Sequence, residues 1–287
     1  MDEVTWDDLM NCPPASHVIR KWSGIIDPKL PVEHPVSATL QILKSGVHEP
    51  QYNLFRSFPE NLLCLDVGAN CGQSIASIKL VCPSMNVYSF EPNPLSFRIA
   101  VEVANRFTNC SVKNFGLGEN DIMLEIFTPV IDGLLVTPLT SSDRKVFEPG
   151  GAMFAFTTES IAKGCAVQLF RQNVNIKRGD GLELRADVIK IDVEGAEMGV
   201  LKGLSQTISK HRPLMMIEKS DWVEIAKLFK NIDYTPFRYD AIDNEKHTLK
   251  RLNLDDRTDQ NSVPINVFYV ANERIAMYAS YAGLTIC

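Results

Sequence analysis

The sequence has no apolar run approaching the roughly 18 residues that cross a membrane as a helix. Its seven cysteines, at 12, 64, 71, 82, 110, 165 and 287, form no CxxC pair, so neither a disulfide framework nor a zinc site is signalled. Basic excess is missing too. With 29 Lys+Arg against 35 Asp+Glu the formal net charge is −6, which disfavours a phosphate backbone as partner. The opening residues MDEVTWDDLM lack the basic start and apolar stretch of a secretory signal. There is no internal repeat, no low-complexity tract and no GxGxxG. These absences predict a soluble, reduced, cytoplasmic protein with no membrane span and no nucleic-acid partner.

What is present is globular: 287 residues, 45% hydrophobic, enough for a large core. Residues 1–35 are Pro-punctuated and predict a short helical cap with an irregular crossing, and VSATLQILKSG (36–46), helical up to Gly46, completes a cap segment over 1–45. EPQYNLFRSF (49–58) reads as a further helix with Pro50 in its first turn. From 61 to 118 the order is strand (NLLCLDVG), helix (GQSIASIKLV), strand (NVYSFEP), helix (PLSFRIAVEVANRF), strand (CSVKNFGLG). That alternation predicts a doubly wound α/β sheet. Residues 119–185 break it with two strand-like runs around a Gly/Ser/Pro-rich stretch, a β insertion suited to a lid over an acceptor. The rhythm resumes with ADVIKIDV, GAEMGVLKGLSQTI, PLMMIEKS and DWVEIAKLFKNI. YTPFRYDA and INVFYVAN read as final strands, joined by a polar stretch read as a loop. One elaborated domain over 46–287 fits better than two.

Two places on this frame carry chemistry. Asp66 ends the first strand, Gly68 and Gly72 bracket the turn into the helix, and Glu91 ends the second strand. Ligands of open α/β sheets bind at the carboxyl ends of the strands, and a carboxylate there can hold both ribose hydroxyls. The pair implies an adenosine-type ligand. A dinucleotide would call for the missing GxGxxG; the DxGxxxG turn suits S-adenosylmethionine, which has no pyrophosphate.

The runs LDVGANCGQS (65–74), FEPNP (90–94), IKIDVEGAE (189–197), MIEKS (216–220) and NVFYVAN (266–272) resemble the FkbM family of class I S-adenosylmethionine-dependent methyltransferases. GVHEPQYNLF (46–55) is similar to that family's lead-in helix. The resemblance implies a Rossmann-like, seven-stranded, mostly parallel sheet with the last strand antiparallel. It also implies methyl transfer, usually to an oxygen of a sugar or secondary metabolite. By motif position Asp66, Gly68, Asn70 and Gly72 would line the methionine and ribose side and Glu91 the ribose. Asn114 and Leu117 would lie on the adenine side.

The second place is VIKIDVEGAE (188–197). Alternation puts Val188, Lys190 and Asp192 on one strand face, so Lys190 and Asp192 are neighbours. Glu218 ends the next strand and is expected at the same rim, beside the methyl acceptor. Lys190, Asp192 and Glu218 are the catalytic candidates. Either Asp192, an ordinary weak base, has its pKa raised by desolvation beside Glu218, or Asp192, Glu194 and Glu218 hold Mg²⁺. The sequence leaves both open. Glu197 is accounted for by helix-terminus electrostatics, and Gly195 is read as the helix start. His17, His34, His48, His211 and His247 show no ligand spacing. A surface or capping role is expected for His48, and core packing for Phe154, Phe156 and Phe170.

The expected activity is O-methylation of a glycan or small metabolite. A nicotinamide-dependent oxidoreductase would need the absent glycine triplet. A non-catalytic nucleotide-binding module would bind cofactor without transferring a methyl group.

Overall fold

The computed structural model describes residues 1–11, 24–162, 164–219, 222–241, 246–253 and 265–287. The chain begins with strand β1 (Glu3–Val4) and helix α1 (Trp6–Asn11), then β2 (Ile25–Ile26), α2 (Glu33–Leu40) and α3 (Ile42–Ser45), which stops at Gly46. Pro50–Ser57 is helical as expected, but of the tighter 3-10 type. The core alternation follows: β3 (Leu63–Val67), α4 (Gln73–Val81), β4 (Asn86–Phe90), α5 (Pro94–Ala104) and β5 (Cys110–Lys113). Asn93 caps α5, its side chain accepting the Leu95 N–H at 3.0 Å, with Pro94 at the first helical position where a missing N–H costs nothing.

The expected third strand, 110–118, is split. Its second half is β6 (Gly116–Gly118), which leaves the main sheet for another. The insertion supplies β7 (Ile122–Ile131), β8 (Leu134–Val136), α6 (Phe154–Ala162) and β9 (Val167–Arg178). Then come β10 (Val188–Ile191), α7 (Glu197–Gly203), α8 (Ser205–His211), β11 (Leu214–Glu218), α9 (Trp222–Lys230) and β12 (Tyr234–Ala241). The single helix expected after β10 is broken because Gly203 packs on β6. A Cβ at Gly203 would collide with the Gly118 carbonyl. Gly195 lies in the turn before α7, not at its start. The chain ends with β13 (His247–Arg251), β14 (Asn266–Ala271), α10 (Ile275–Ala279) and β15 (Leu284–Ile286). β13 falls in the stretch read as a loop. His247 and Leu249 alternate inward on it, the period of a strand.

The main sheet has nine strands in the order β15-β13-β12-β14-β11-β10-β3-β4-β5. Its central run is the expected one: β5, β4, β3, β10 and β11 are parallel, and β14 enters antiparallel between β11 and β12. The expected seven strands are extended by β13 and β15 at one edge. A second sheet, β1-β9-β7-β8-β2 with β6 on β9, is built on the β7·β9 antiparallel pair. The N-terminal segment, expected as a helical cap, also gives this sheet β1 and β2. No helix among the described residues is long and apolar enough to cross a membrane.

Apolar side chains cover both faces of the main sheet. Cys64, Val188, Leu214 and Phe268 face the side of α4 and α5, and Leu65, Ile189, Met215 and Tyr269 face α7 to α9. Strands covered on both faces read as continuous apolar runs. The exceptions form one row on the α4 side: Ser89, Asp66 and Lys190 stand directly opposite one another on β4, β3 and β10.

Candidate functional site

This polar row sits beneath a cleft of about 390 Å³ at the carboxyl ends of β3, β4, β10 and β11. Asp66 is fully buried. Its Oδ2 accepts from Ser74 Oγ at 2.7 Å and Ser89 Oγ at 2.8 Å, and its Oδ1 faces Lys190 Nζ at 3.3 Å. Lys190 Nζ also donates to the Gly68 carbonyl at 2.6 Å and lies 3.5 Å from Asp192 Oδ2. Burial alone would lower the pKa of this lysine. The Asp192 and Asp66 carboxylates outweigh it and hold the ammonium above its ordinary value. Lys190 lines the cleft, whereas Asp66 lies behind it. The expected Lys190–Asp192 neighbourhood is therefore present, with Asp66 as a third member.

The turn after β3 is built around Glu91. Gly68 and Ala69 donate their N–H groups to the Phe90 carbonyl, and Gly68 adopts φ +85° where a Cβ would collide with the Asp192 carbonyl. Asn70, itself left-handed, donates its N–H to Glu91 Oε2 at 2.7 Å, and Asn93 donates to Oε1 at 2.8 Å. Burial pushes the Glu91 carboxyl up to about 7 against these hydrogen bonds. Gly68, Asn70, Glu91 and Leu117 line the cleft. Gly72 does not; it packs against Val103 at the start of α4. Asn114 sits behind the wall and donates to the Glu91 and Pro92 carbonyls at 3.1 and 3.2 Å.

The other end of the cleft is acidic. Asp192, Glu194 and Glu218 each bring a carboxylate oxygen within 4.8 Å of the others, and Glu49 joins them. Burial, then Asp192 and Glu194, push Glu218 up to about 9, with a hydrogen bond to Asp192 adding to the shift. Burial and Asp192 push Glu194 up to about 7. Like charges this close cannot all ionise, so the set holds protons at neutral pH. Glu197 plays the structural part expected of it: its Oε1 accepts the N–H groups of Val193 and Gly195.

The raised Glu218 pKa fixes the sign of a pH effect on stability. A carboxyl whose folded-state value, about 9, lies above its ordinary 4.5 contributes stability that is full below the ordinary value. That contribution is lost as pH rises through the folded value. In urea titrations between about pH 5 and pH 9, Glu218→Gln is expected to gain stability relative to the unmodified chain as pH rises. A difference between the two proteins that stays constant with pH would show that Glu218 is not held protonated.

Several lining residues were not found from sequence. His48 is exposed, as expected, and it also lines the cleft. Gln73, Ser74, Asn93 and Ser96 line it from α4 and the start of α5, and Leu124, Ile126, Thr137 and Ile176 from the insertion. Thr137 ties the insertion to the turn: its Oγ1 lies 2.7 Å from Asn70 Oδ1 and 2.8 Å from the Gly24 carbonyl. A signal existed for His48 and Glu49, which sit at the head of the lead-in stretch; none existed for Thr137. Phe154, Phe156 and Phe170 do not line the cleft. His34 is exposed on α2, His211 ends α8, and His247 Nδ1 pairs with Tyr239 Oη at 2.9 Å. His17 lies outside the described residues.

A profile described as "Methyltransferase FkbM domain" matches residues 66–239, more than half of the chain. The chain is 29% identical over 160 residues to "Methyltransferase 1" of Beauveria bassiana (strain ARSEF 2860), covering 51% of this chain and 60% of that protein. It is 26% identical over 168 residues to "Methyltransferase sdnD" of Sordaria araneosa, covering 52% and 63%. A crystal structure of Methyltransferase FkbM from Methylobacillus flagellatus KT is similar at 18% identity and a TM-score of 0.47, over 83% of this chain and 54% of that one. The matches thus take in less than two thirds of the length of each of these three proteins. With its Asp66–Gly72 turn and its Asp192–Glu197 run inside the matched segment, the chain belongs to the FkbM methyltransferase family.

Proposed function

We propose that this chain transfers a methyl group from S-adenosylmethionine to a hydroxyl oxygen of a glycan or small hydroxylated metabolite. The observation that carries this reading is one continuous cleft with Glu91 at one end and the Asp192–Glu194–Glu218 acids at the other. The wall also holds orphaned polar atoms: Gln73 Oε1 and Asn93 Nδ2 are buried with no partner among the described residues. A ligand rich in donors and acceptors would satisfy them. Glu91 retains lone pairs for ribose hydroxyls, Leu117 offers an apolar face to the base, and Gly68 and Asn70 form the floor between. Asp66, Gly72 and Asn114 support that floor from behind.

The bound cofactor would supply an electrophilic methyl group. The chain's own work is to place the acceptor oxygen in line and to take its proton. Asp192, beside Lys190, receives the hydroxyl proton, and the acid set shares it. The Lys190 ammonium, 3.5 Å from Asp192 Oδ2, orients that carboxylate toward the cleft. Leu124, Ile126 and Ile176 from the insertion form the rim against which the acceptor packs. Asp192, Glu194 and Glu218 could alternatively coordinate Mg²⁺, since hard cations take carboxylate oxygens.

Incubation with methyl-labelled cofactor and fractionated cell extract, with and without chelator, tests the reading. Label is expected in a glycan or small-molecule fraction, unaffected by chelator. Label in RNA or protein would overturn the acceptor class, and loss with chelator would favour the metal. Cofactor binding with no transfer to any fraction would favour a non-catalytic module. A nicotinamide enzyme remains disfavoured because the turn is Gly68-x-x-x-Gly72.

Glu91→Ala is expected to weaken S-adenosylhomocysteine binding by about 10- to 100-fold, the worth of hydrogen bonds to a charged or buried carboxyl. Calorimetry measures this directly, and unfolding should stay cooperative. Unchanged affinity would remove Glu91 from the ribose site.

A further inference from the structure

The acidic end of the cleft contains two adjacent residues to which the proton chemistry above gives no role of their own, His48 and Glu49. His48 is fixed on three sides. Its backbone N–H donates to Ser77 Oγ at 3.1 Å, its Nδ1 lies 2.7 Å from the same oxygen, and its ring packs on Tyr52 with centroids 4.8 Å apart. These contacts determine the tautomer. Ser77 Oγ already accepts the backbone N–H, and its hydroxyl proton has no acceptor among the described residues other than His48 Nδ1. Nδ1 is therefore the acceptor and the ring proton sits on Nε2. Ser77 is fully buried behind the wall while His48 lines the cleft, so the Nε2–H edge is the one a ligand meets. Desolvation by the surrounding side chains, then the Lys190 charge, push the imidazole below its ordinary value although part of the residue reaches solvent, so the ring is a neutral donor at neutral pH.

Glu49 is held in the complementary sense. Its Oε2 accepts from Asn266 Nδ2 at 2.7 Å, which leaves Oε1 without a hydrogen-bond partner among the described residues. Other donors nearby are already engaged. The N–H groups of Gly68 and Ala69 go to the Phe90 carbonyl and that of Asn70 to Glu91. The Lys190 ammonium is taken up by Asp66, Asp192 and Gly68.

We infer that His48 and Glu49 clamp the amino-acid head of the cofactor, His48 Nε2–H donating to its α-carboxylate and Glu49 accepting from its α-ammonium. The inference rests on the cofactor reading above. With the ribose at Glu91, the amino-acid tail runs over the Gly68–Asn70 turn toward this pair. A carboxylate arriving among four acids needs a hydrogen-bond donor; Asn93 Nδ2 is open beside Glu91, and at the acidic end His48 supplies one.

Calorimetry on the full chain tests the clamp with three probes: S-adenosylhomocysteine, its decarboxylated analogue S-adenosyl-3-thiopropylamine, and 5′-methylthioadenosine, which lacks the amino-acid head. The unmodified chain should prefer S-adenosylhomocysteine to the decarboxylated analogue by about tenfold, the worth of one hydrogen bond to a charged group. His48→Phe should erase that preference and leave 5′-methylthioadenosine affinity unchanged. His48→Gln, whose amide places a donor near Nε2, should restore most of it. Retention of the preference in His48→Phe, or equal weakening of all three probes, would overturn the clamp alone. Failure of the unmodified chain to bind any of the three would overturn the cofactor reading and the clamp with it.

Discussion

Asp192→Asn is expected to cut methyl transfer by roughly 10²- to 10⁴-fold, the usual contribution of a positioned proton acceptor, and to leave S-adenosylhomocysteine affinity intact. The substitution is conservative where the fold is concerned. The Asp192 backbone N–H still donates to the Val67 carbonyl, and the new amide oxygen can still face Lys190. What it removes is the carboxylate oxygen next to the one open end of the acid set. Neither neighbour replaces it. Burial and the neighbouring acids push Glu218 up to about 9 and Glu194 up to about 7, and of the three it is Asp192 that the Lys190 ammonium holds, at 3.5 Å. Single-turnover transfer and calorimetry measured on the same preparation separate the two quantities. Turnover within a few-fold of the unmodified chain would show that the acids serve only to shape the rim.

Lys190→Met has the largest expected effect on stability. The lysine is 2% exposed and its partner Asp66 is fully buried. Removing the ammonium leaves Asp66 and Asp192 as uncompensated charges at the base of the cleft and releases the Gly68 carbonyl. Breaking a buried pair from one side costs about 3–5 kcal/mol, which corresponds to a fall in Tm of about 10 °C for a chain of this size. The cost comes chiefly from the stranded carboxylate, so a second substitution should recover much of it: Lys190→Met with Asp66→Asn is expected to be more stable than Lys190→Met alone. Thermal unfolding of the two variants decides this. Equal Tm values for the single variant and the unmodified chain would show that the lysine is not needed to hold the row. Its contacts to Asp66, Asp192 and the Gly68 carbonyl fit a positioning role, which we propose it exerts through Asp192 and Gly68.

Residues that end strands were legible because the rule that places them is local. Glu91, Asp192 and Glu218 each follow an apolar run and precede a turn, and sheets of this type gather such positions at one rim. The central strands were legible too: β3, β4, β10 and β11 are covered on both faces and show as continuous apolar runs. The edges of the fold were not. β13 alternates inward and outward in a polar stretch, β1 and β2 are two residues each, and β6 continues a strand that has already left its sheet. Short or half-exposed strands are defined by what they pair with, and their own residues carry little signal.

The sequence by itself determined the family, the alternating frame and the acids at the strand ends, because periodicity and turn chemistry act over a few residues. Only the tertiary structure decided what those acids face. Lys190 stands opposite Asp66 through the register of two strands far apart in the chain. His48 is set by a serine 29 residues away, and Asn70 by a threonine 67 residues away. Such contacts depend on three-dimensional packing, which no local pattern of residues encodes. That packing turned a lysine in a buried strand into the tie between the Gly68 turn and the acid set.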